Sequence, residues 1–421
     1  MKTIKLLAAL LLPLSVSAQD TLSLEQCLAA AIEHAPRTGD RALLEEQSEL
    51  VEKNIRANWY PSLELNGKAS YQSDVVTIEF ENTSIPIAVP EMPRDQYAMN
   101  LDVRQTLFDG GISKSRSAYE QIKTAAEVQQ IEVDLQSVRE QVTGLYFSVL
   151  LAQENRSSLE IMLSNLKARE AAMQSALRHG AAMEMDLKVI RVEILKLLQT
   201  LSEIDAARNG ALGMMEVLTG ISLSAATRLA TPYLQLDENA AYNRPELRLF
   251  DLREASVEAG KAMTTAERFP KVFAFGQAGY GQPGYNMLST EFDAYYMLGV
   301  GLQWKIWDWN STSREKQILE ANRQMIGNAR ETLVQNLDAR GRKELEVMKH
   351  LKGAIELDDT ILEMRMEITR DAASQLENGV ITATDYLLEL NDESAARINR
   401  SRHRVQLLQS MANYKLLQGT L

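Results

Sequence analysis

Cysteine is nearly absent from this chain. Cys27 is the only one in 421 residues, so no intrachain disulfide can form. Proline and glycine are also scarce, at 10 and 21, while Ala, Leu, Glu, Gln and Arg abound, which favours helix. Beyond the N-terminal leader there is no run of about 18 apolar residues, so no transmembrane helix is expected. A chain of this kind enters a bilayer only as a β-barrel, because helices and closed barrels alone satisfy their backbone groups in lipid. Positive charge is in deficit as well. Nucleic-acid phosphates would repel such a chain, and any lumen it lines would favour cations. The four histidines, His34, His179, His350 and His403, are scattered and form no metal motif. Met183 and Met185, near His179 and Glu184, lack ligand spacing too, and Met commonly fills seams. No nucleophile elbow or phosphate loop occurs. The sequence therefore asks for no catalysis, cofactor or metal, and the chain is not expected to be an enzyme.

The N-terminus reads as a secretory leader over 1–18: Lys2 and Lys5, an apolar stretch to Leu14, then Val16-Ser17-Ala18, with cleavage between Ala18 and Gln19. Its apolar stretch is shorter than the roughly 20 residues that span a bilayer. Removal of the leader leaves 43 basic against 57 acidic residues, a net charge of −14. Leu24-Glu25-Gln26-Cys27 loosely resembles a lipidation box, but Glu25 and Gln26 are large and polar. An ordinary position in an amphipathic helix suits Cys27 better.

The remainder is one unit written twice. An offset of 209 aligns Pro36 with Pro245, Pro61 with Pro270, Gly67 with Gly276 and Tyr71 with Tyr280. An offset of 199 then aligns Tyr97 with Tyr296, Asp109 with Asp308, Gly180 with Gly379, Asp186 with Asp385 and Gly220 with Gly419. The offset changes once, in a loop expected over 72–96. The repeats run over 19–220 and 244–421, joined by a linker at 221–243. Each begins with a helix ending at an aromatic-proline junction, where Pro61 or Pro270 stops the helix and opens a strand. Strands are expected near 62–71 and 97–107, and near 271–280 and 296–305. Long helices are expected near 110–178 and 311–377, and return helices near 183–218 and 382–418.

The strands alternate. Tyr97, Met99, Leu101 and Val103 oppose Asn100, Asp102 and Arg104, and Leu63 and Leu65 oppose Glu64 and Asn66. Tyr296, Leu298, Val300 and Leu302 oppose Gly299, Gly301 and Gln303. Period-2 alternation with a polar inner face marks membrane barrel strands, although a half-buried soluble sheet gives a similar pattern. Phe273 and Phe275, on the inner face of the third strand, break the rule. Trp59, Tyr60, Phe108, Phe269, Trp304, Trp307 and Trp309 gather at strand ends, as an interfacial girdle would. The first long helix carries an apolar seam at alternating steps of four and three from Ile131 to Leu177, interrupted only by Arg156 and Glu170. Four strands are too few to close a membrane barrel, which starts at about eight, so more than one copy is required.

These features resemble the TolC family of outer-membrane efflux proteins. The carrying residues are LSLEQCLAAAIEHAP (Leu22 to Pro36), YPSLELNG (Tyr60 to Gly67), QTLFDGG (Gln105 to Gly111) with WKIWDWN (Trp304 to Asn310), and the turns HGAAMEMDL (His179 to Leu187) and NGVITATDYL (Asn378 to Leu387). The resemblance implies a mainly α fold with a membrane β-barrel part, long coiled-coil helices forming an α-barrel. Four strands per protomer would enter a 12-stranded barrel in a homotrimer, with 221–243 in an equatorial belt. It implies a passive exit channel in the outer membrane of a Gram-negative bacterium, reaching into the periplasm and serving efflux or type I secretion. The implied partners are a periplasmic adaptor, an inner-membrane pump of the RND or ABC type, and lipid. Asp385 falls where members carry a ring-forming aspartate at a gate, and Asp186 is its repeat mate. Leu388 stands where the family's best-known members have a second acid, with Glu389 beside it; Ile381 and Leu376 stand where they have a basic residue and a tyrosine. Gly180 and Gly379 would mark the tip where the adaptor docks. The competing local reading makes both aspartates helix-start residues, with Thr382 or Thr384 as cap, and both glycines helix ends. The competing function is a structural or adhesive coiled-coil protein of the cell envelope.

Overall fold

A computed structural model describes residues 21–76, 92–179, 182–238, 240–286 and 289–421. The leader with its Ala18–Gln19 cleavage site, most of the 72–96 loop, and Gly180 lie outside the described residues. In order the elements are α1 (Leu24–His34), α2 (Asp40–Ala57), β1 (Ser62–Tyr71), β2 (Asp95–Phe108), α3 (Ile112–Arg178) and α4 (Glu184–Thr219), then α5 (Pro245–Ala266), β3 (Lys271–Gln282), β4 (Asp293–Gln303), α6 (Ser311–Glu377) and α7 (Ala383–Gln418). Of the helices, none is long and apolar enough to cross a membrane among the described residues.

The fold is mainly α, a duplicated strand-pair and helix-pair unit. α3 and α6 both have 67 residues, and α4 and α7 both have 36, so the two copies match in length. Their starts use the same device. Asp109 accepts from the amides of Gly111 and Ser113, each at 2.8 Å, ahead of α3. Asp308 accepts from the Thr312 amide at 3.0 Å at the start of α6. Both satisfy amides that a helix N-terminus leaves bare. Their ends agree as well. Gly220 and Gly419 close α4 and α7 with φ of 68° and 73°. A side chain at Gly220 would collide with the His34 ring, and one at Gly419 with the Asn243 carbonyl. Glycine is required there by backbone and by space together.

The chain divides into two compact units that do not follow the repeat boundaries. One contains residues 40–130 and 246–332, the other residues up to 39, 131–245 and 333–421. The first holds a single antiparallel sheet in the order β1-β2-β3-β4. Pro61 and Pro270 directly precede β1 and β3. Gln303 pairs with Lys271, the first residue of β3. Pro270 follows in the pairing direction and has no N–H to donate. β4 therefore ends at Gln303, and Trp304 lies beyond it rather than on the strand.

The second unit has two buried clusters. In one, Leu24, Cys27, Leu28 and Ala31 of α1 pack on Val142, Tyr146, Phe147, Val149 and Leu150 of α3, Leu212 and Met215 of α4, and Leu229 and Leu234 of the linker. Cys27 is fully buried, and desolvation pushes its thiol up to about 12. It occupies a core position on the packed face of α1. In the other cluster Leu159, Met162 and Leu166 of α3 meet Ile190, Ile194 and Leu197 of α4 and Tyr386, Leu387 and Leu390 of α7. Arg156 and Glu170, the two polar interruptions of the α3 seam, are both answered from α4, by Asp205 at 2.8 Å and Arg191 at 2.7 Å.

Tyr146 joins the linker to α3. Its hydroxyl lies 2.6 Å from the Ala230 carbonyl and 3.1 Å from that of Leu22. Leu22 and Leu229 form a parallel bridge beside it, and the Ala230 amide donates to the Leu22 carbonyl at 3.1 Å. Removing the hydroxyl leaves the Ala230 carbonyl without that donor, which costs about 1–3 kcal/mol in a buried site. Tyr146→Phe should accordingly lower the unfolding temperature of the detergent-solubilised protein while leaving its helix content by circular dichroism unchanged; an unaltered unfolding temperature would remove this residue's assigned role.

Candidate functional site

The register of the sheet sorts its side chains into two faces. Leu63 pairs with Val103, Leu65 with Leu101, Val103 with Gly276, and Gly276 with Leu298. The same face carries Met99, Ala274, Ala278, Tyr296, Val300 and Leu302. Apart from Asp95 at its rim, paired with Tyr71, it carries no charged residue among the described residues, and it is uncovered: Leu298 is 79% exposed and Leu302 68%. Leucines left in water forgo roughly 1.5–3 kcal/mol each, and soluble monomers rarely expose an apolar area of this size. The opposite face carries Glu64, Asn66, Lys68, Asn100, Asp102, Arg104, Gln277 and Lys271. There Asp102 accepts from Asn66 at 2.8 Å and Gln277 at 2.7 Å, and Tyr285 donates to Gln277 at 2.7 Å.

Phe273 and Phe275 belong to this polar face, yet they obey a local rule. They pair across the sheet with Gly301 and Gly299. A Cβ at Gly299 would stand 2.5 Å from the Phe275 ring, and one at Gly301 would meet Phe273. Each ring leans over a glycine, covering backbone that has no side chain of its own. Arg104 then lies over the Phe273 ring, 3.8 Å from its centroid.

Aromatic side chains bound the apolar face at both ends. Trp59, Tyr60, Phe108, Phe269, Trp304, Trp307 and Trp309 all lie at the end where β1 and β3 begin, and all are exposed. Trp304 donates its indole N–H to the Arg268 carbonyl at 3.1 Å, and Trp307 meets Trp309 edge-to-face at 5.9 Å. The opposite end has a belt that the sequence reading did not identify: Tyr71, Tyr97, Tyr280 and Tyr296, with Phe292 stacked on Tyr97 at 6.2 Å and on Tyr280 at 5.7 Å. Its signal was present, since four strands each place a tyrosine near the same end. The ten residues of β1 extend about 33 Å. Tilted by about 40°, they cover about 25 Å, the height of a membrane barrel's apolar band.

The paired turns lie in the other unit. Gly379 has φ of 70° and ends α6, with Val380 donating to the Gln375 carbonyl at 2.9 Å. Thr382, not Thr384, caps α7. The Asp385 amide donates to the Thr382 hydroxyl oxygen at 3.2 Å, while Asp385 accepts from the Thr382 amide at 3.0 Å and hydroxyl at 2.7 Å. The Thr382 hydroxyl first, and its amide second, hold the Asp385 carboxyl below the usual range. At α4 the cap is Met183, which makes no side-chain bond, and Asp186 sits half-buried in the first turn. Glu389 is engaged by Arg365 of α6 at 3.0 Å, and Arg365 also reaches Asp392 at 2.9 Å. Arg169 of α3 pairs with Glu377 of α6 and lies over Tyr386 of α7, 5.4 Å from its ring centroid. The ion pairs of this region thus run through Arg169 and Arg365, while Ile381 and Leu376 pack as apolar side chains. No group of three or more His, Cys, Asp or Glu is placed to hold a metal among the described residues.

The sequence model of a family described as outer membrane efflux protein matches residues 51–220. No protein of curated function matches the sequence. Among solved structures the chain is similar to CusC, with 15% identity, a TM-score of 0.68, and coverage of 94% of this chain and 91% of that one. It is similar to VceC of Vibrio cholerae at 12% identity and a TM-score of 0.67, covering 94% and 96%. It is also similar to the open state of the MtrE outer membrane channel of Neisseria gonorrhoeae at 18% identity and a TM-score of 0.65, covering 94% and 89%. At such identities the likeness establishes the fold.

The capping role of Asp385 has a pH signature. A carboxyl whose folded value is depressed stabilises the fold above its ordinary value of about 3.9, and that stabilisation is lost as pH falls through the folded value. Asp385→Ala should therefore lower the unfolding temperature at pH 7, and the gap from the parent should shrink as pH falls below the ordinary carboxylate range and through the depressed folded value. A gap that is constant with pH would show that the carboxylate is not what stabilises the α7 start.

Proposed function

We propose, from the match of residues 51–220 to the outer membrane efflux protein family and from the fold shared with outer-membrane channels, that this chain is the passive exit channel of a tripartite efflux or type I secretion system in a Gram-negative outer membrane. The observation that carries the reading is the sheet: an uncovered apolar face about 25 Å high between two aromatic belts, backed by a polar face. A soluble coiled-coil protein of the envelope has no use for such a face, which weighs against the structural or adhesive alternative. A conduit needs no bond-breaking chemistry, and none is assigned.

The assembly follows from what one protomer leaves open. β1 and β4 are edge strands, and an open edge in lipid strands its amides and carbonyls. Three copies give twelve strands, enough to close a barrel. Further down the chain α6 bears an uncovered seam, Leu357, Ile361, Met364 and Ile368, at steps of four, three and four. Coiled-coil spacing on an exposed stripe asks for a partner helix, here from the neighbouring copy. The repeats, 19–220 and 244–421, each supply half of a protomer's wall, and 221–243 supplies the belt. The partners are a periplasmic adaptor docking near Gly180 and Gly379 and an inner-membrane pump of the RND or ABC type. A cleaved leader with the cut after Ala18 suits the exported destination.

For the gate, the carboxylates differ in what occupies them. Asp385 is committed to its cap and Glu389 to Arg365. Asp186 has no cap partner to serve, so it is the acid freest to act as lumen charge. Three such carboxylates about a trimer axis repel, and cations relieve that cost. The purified protein should have the native mass of a trimer in detergent and form ion channels in planar bilayers. Ile361→Glu with Met364→Glu should leave it monomeric. Asp186→Ala should weaken block by divalent cations more than Asp385→Ala does. A monodisperse parent monomer would overturn the barrel reading, and equal block in all variants would overturn the gate assignment alone.

A further inference from the structure

We propose that the foot of the sheet's polar face is a binding station for planar organic anions. The inference rests on reading that face as a lumen wall, and it concerns which solutes the wall prefers. A cavity of about 370 Å³ lies there, its walls including Asn58, Tyr60, Ser62, Arg104, Lys271 and Phe273, within the range of small-molecule pockets, about 300–1,000 Å³.

Its charges are unequal in availability. Asp109 also lines the cavity, but its two oxygens accept from the Gly111 and Ser113 amides. Glu64 stands on the same face, one pair along from Arg104, and its partner across the strands is Asp102. Asp102, the next acid on β2, is occupied by Asn66 and Gln277. Arg104 and Lys271 thus line the cavity without an acidic partner among the described residues, and both keep donors for an anion. Ser62 fixes the strand beneath, its hydroxyl donating to the Arg104 carbonyl at 3.2 Å.

The geometry selects flat molecules. Phe273 leans across Gly301, and the Arg104 guanidinium lies over the ring, 3.8 Å from its centroid. A guanidinium held this way presents a second planar face and its N–H fork at one place. An aromatic ring stacks on that face while its carboxylate takes charge-assisted hydrogen bonds from Arg104 or Lys271. The net charge of −14 left after removal of the leader would favour cations throughout a lumen. Here the local arrangement reverses that preference and gives an aromatic carboxylate a place to pause.

The test uses the full chain in detergent with 2-naphthoate as probe, read by titration calorimetry, and conductance in planar bilayers measured in parallel. Saturable binding is expected. Arg104→Gln and Phe273→Leu should each weaken it at least about tenfold, and Lys271→Gln less. Arg104→Lys, which keeps the charge without the plate, should fall between. 1-Naphthylmethylammonium, a cation of similar shape, should bind no more weakly to Arg104→Gln than to the parent. Each variant must retain the parent's native mass and unfolding temperature; Arg104→Lys and Lys271→Gln carry the comparison if Phe273→Leu does not. Absence of saturable binding, or equal binding by parent and Arg104 variants, overturns the proposal even where channels conduct. Binding without conductance would instead sink the channel reading and leave a ligand site.

Discussion

Among the described residues, no further strand pairs with the outer edges of β1 and β4, the two ends of the sheet. In water such an edge recruits another strand, and in lipid it is intolerable. The apolar face adds the second half of the constraint, because Leu298, Val300 and Leu302 stay exposed among the described residues. The remaining features answer to these two demands. Aromatic belts bound the apolar face, prolines stop helices where strands begin, and an exposed seam on α6 extends the need for neighbours into the helical unit.

Duplication explains how a chain meets those demands with little new sequence, and the differences between copies show which features are free to vary. Helix lengths have not drifted, since α3 and α6 or α4 and α7 must end together if both are to line one wall. The strand-to-helix corner is more permissive. Gly110 and Gly111 take positive φ in the first copy, and their counterparts Trp309 and Asn310 take φ of 53° and 60°. A non-glycine residue there costs about 1 kcal/mol or more. At Gly110 the choice is forced, because a Cβ would lie 2.7 Å from that of Phe269. Trp309 is 78% exposed, so its side chain has room, and the strained backbone places it in the belt.

The sequence revealed architecture more readily than chemistry. Offsets of 209 and 199 located the repeats, and alternation sorted the strand faces, because both depend on periods that a single chain records. The α3 seam was legible for the same reason. Its second buried stripe, with Tyr146, Phe147 and Leu150, was not, since it faces α1 and the linker, whose position no local period specifies. Phe273 and Phe275 looked out of place on a polar face because their glycine partners, Gly299 and Gly301, are remote in sequence. Alternation continues through Trp304 and mimics a strand residue there, whereas pairing stops at Lys271.

Acidic residues at the two turns illustrate why site chemistry is harder to read than fold. Asp186 and Asp385 are repeat mates in the first turn of equivalent helices, and each suits the helix dipole equally well on paper. What separates them is one residue three positions earlier: Thr382 offers a hydroxyl to Asp385, whereas Met183 offers nothing to Asp186. A carboxylate already bonded to its cap resists further change of partner, and one without a cap bond keeps its lone pairs for other donors. The same distinction operates on the sheet, where Asp102 and Asp109 are spoken for while Arg104 and Lys271 are not. In both units local structure engages some charges and leaves others unused, and net charge alone does not reveal which those are.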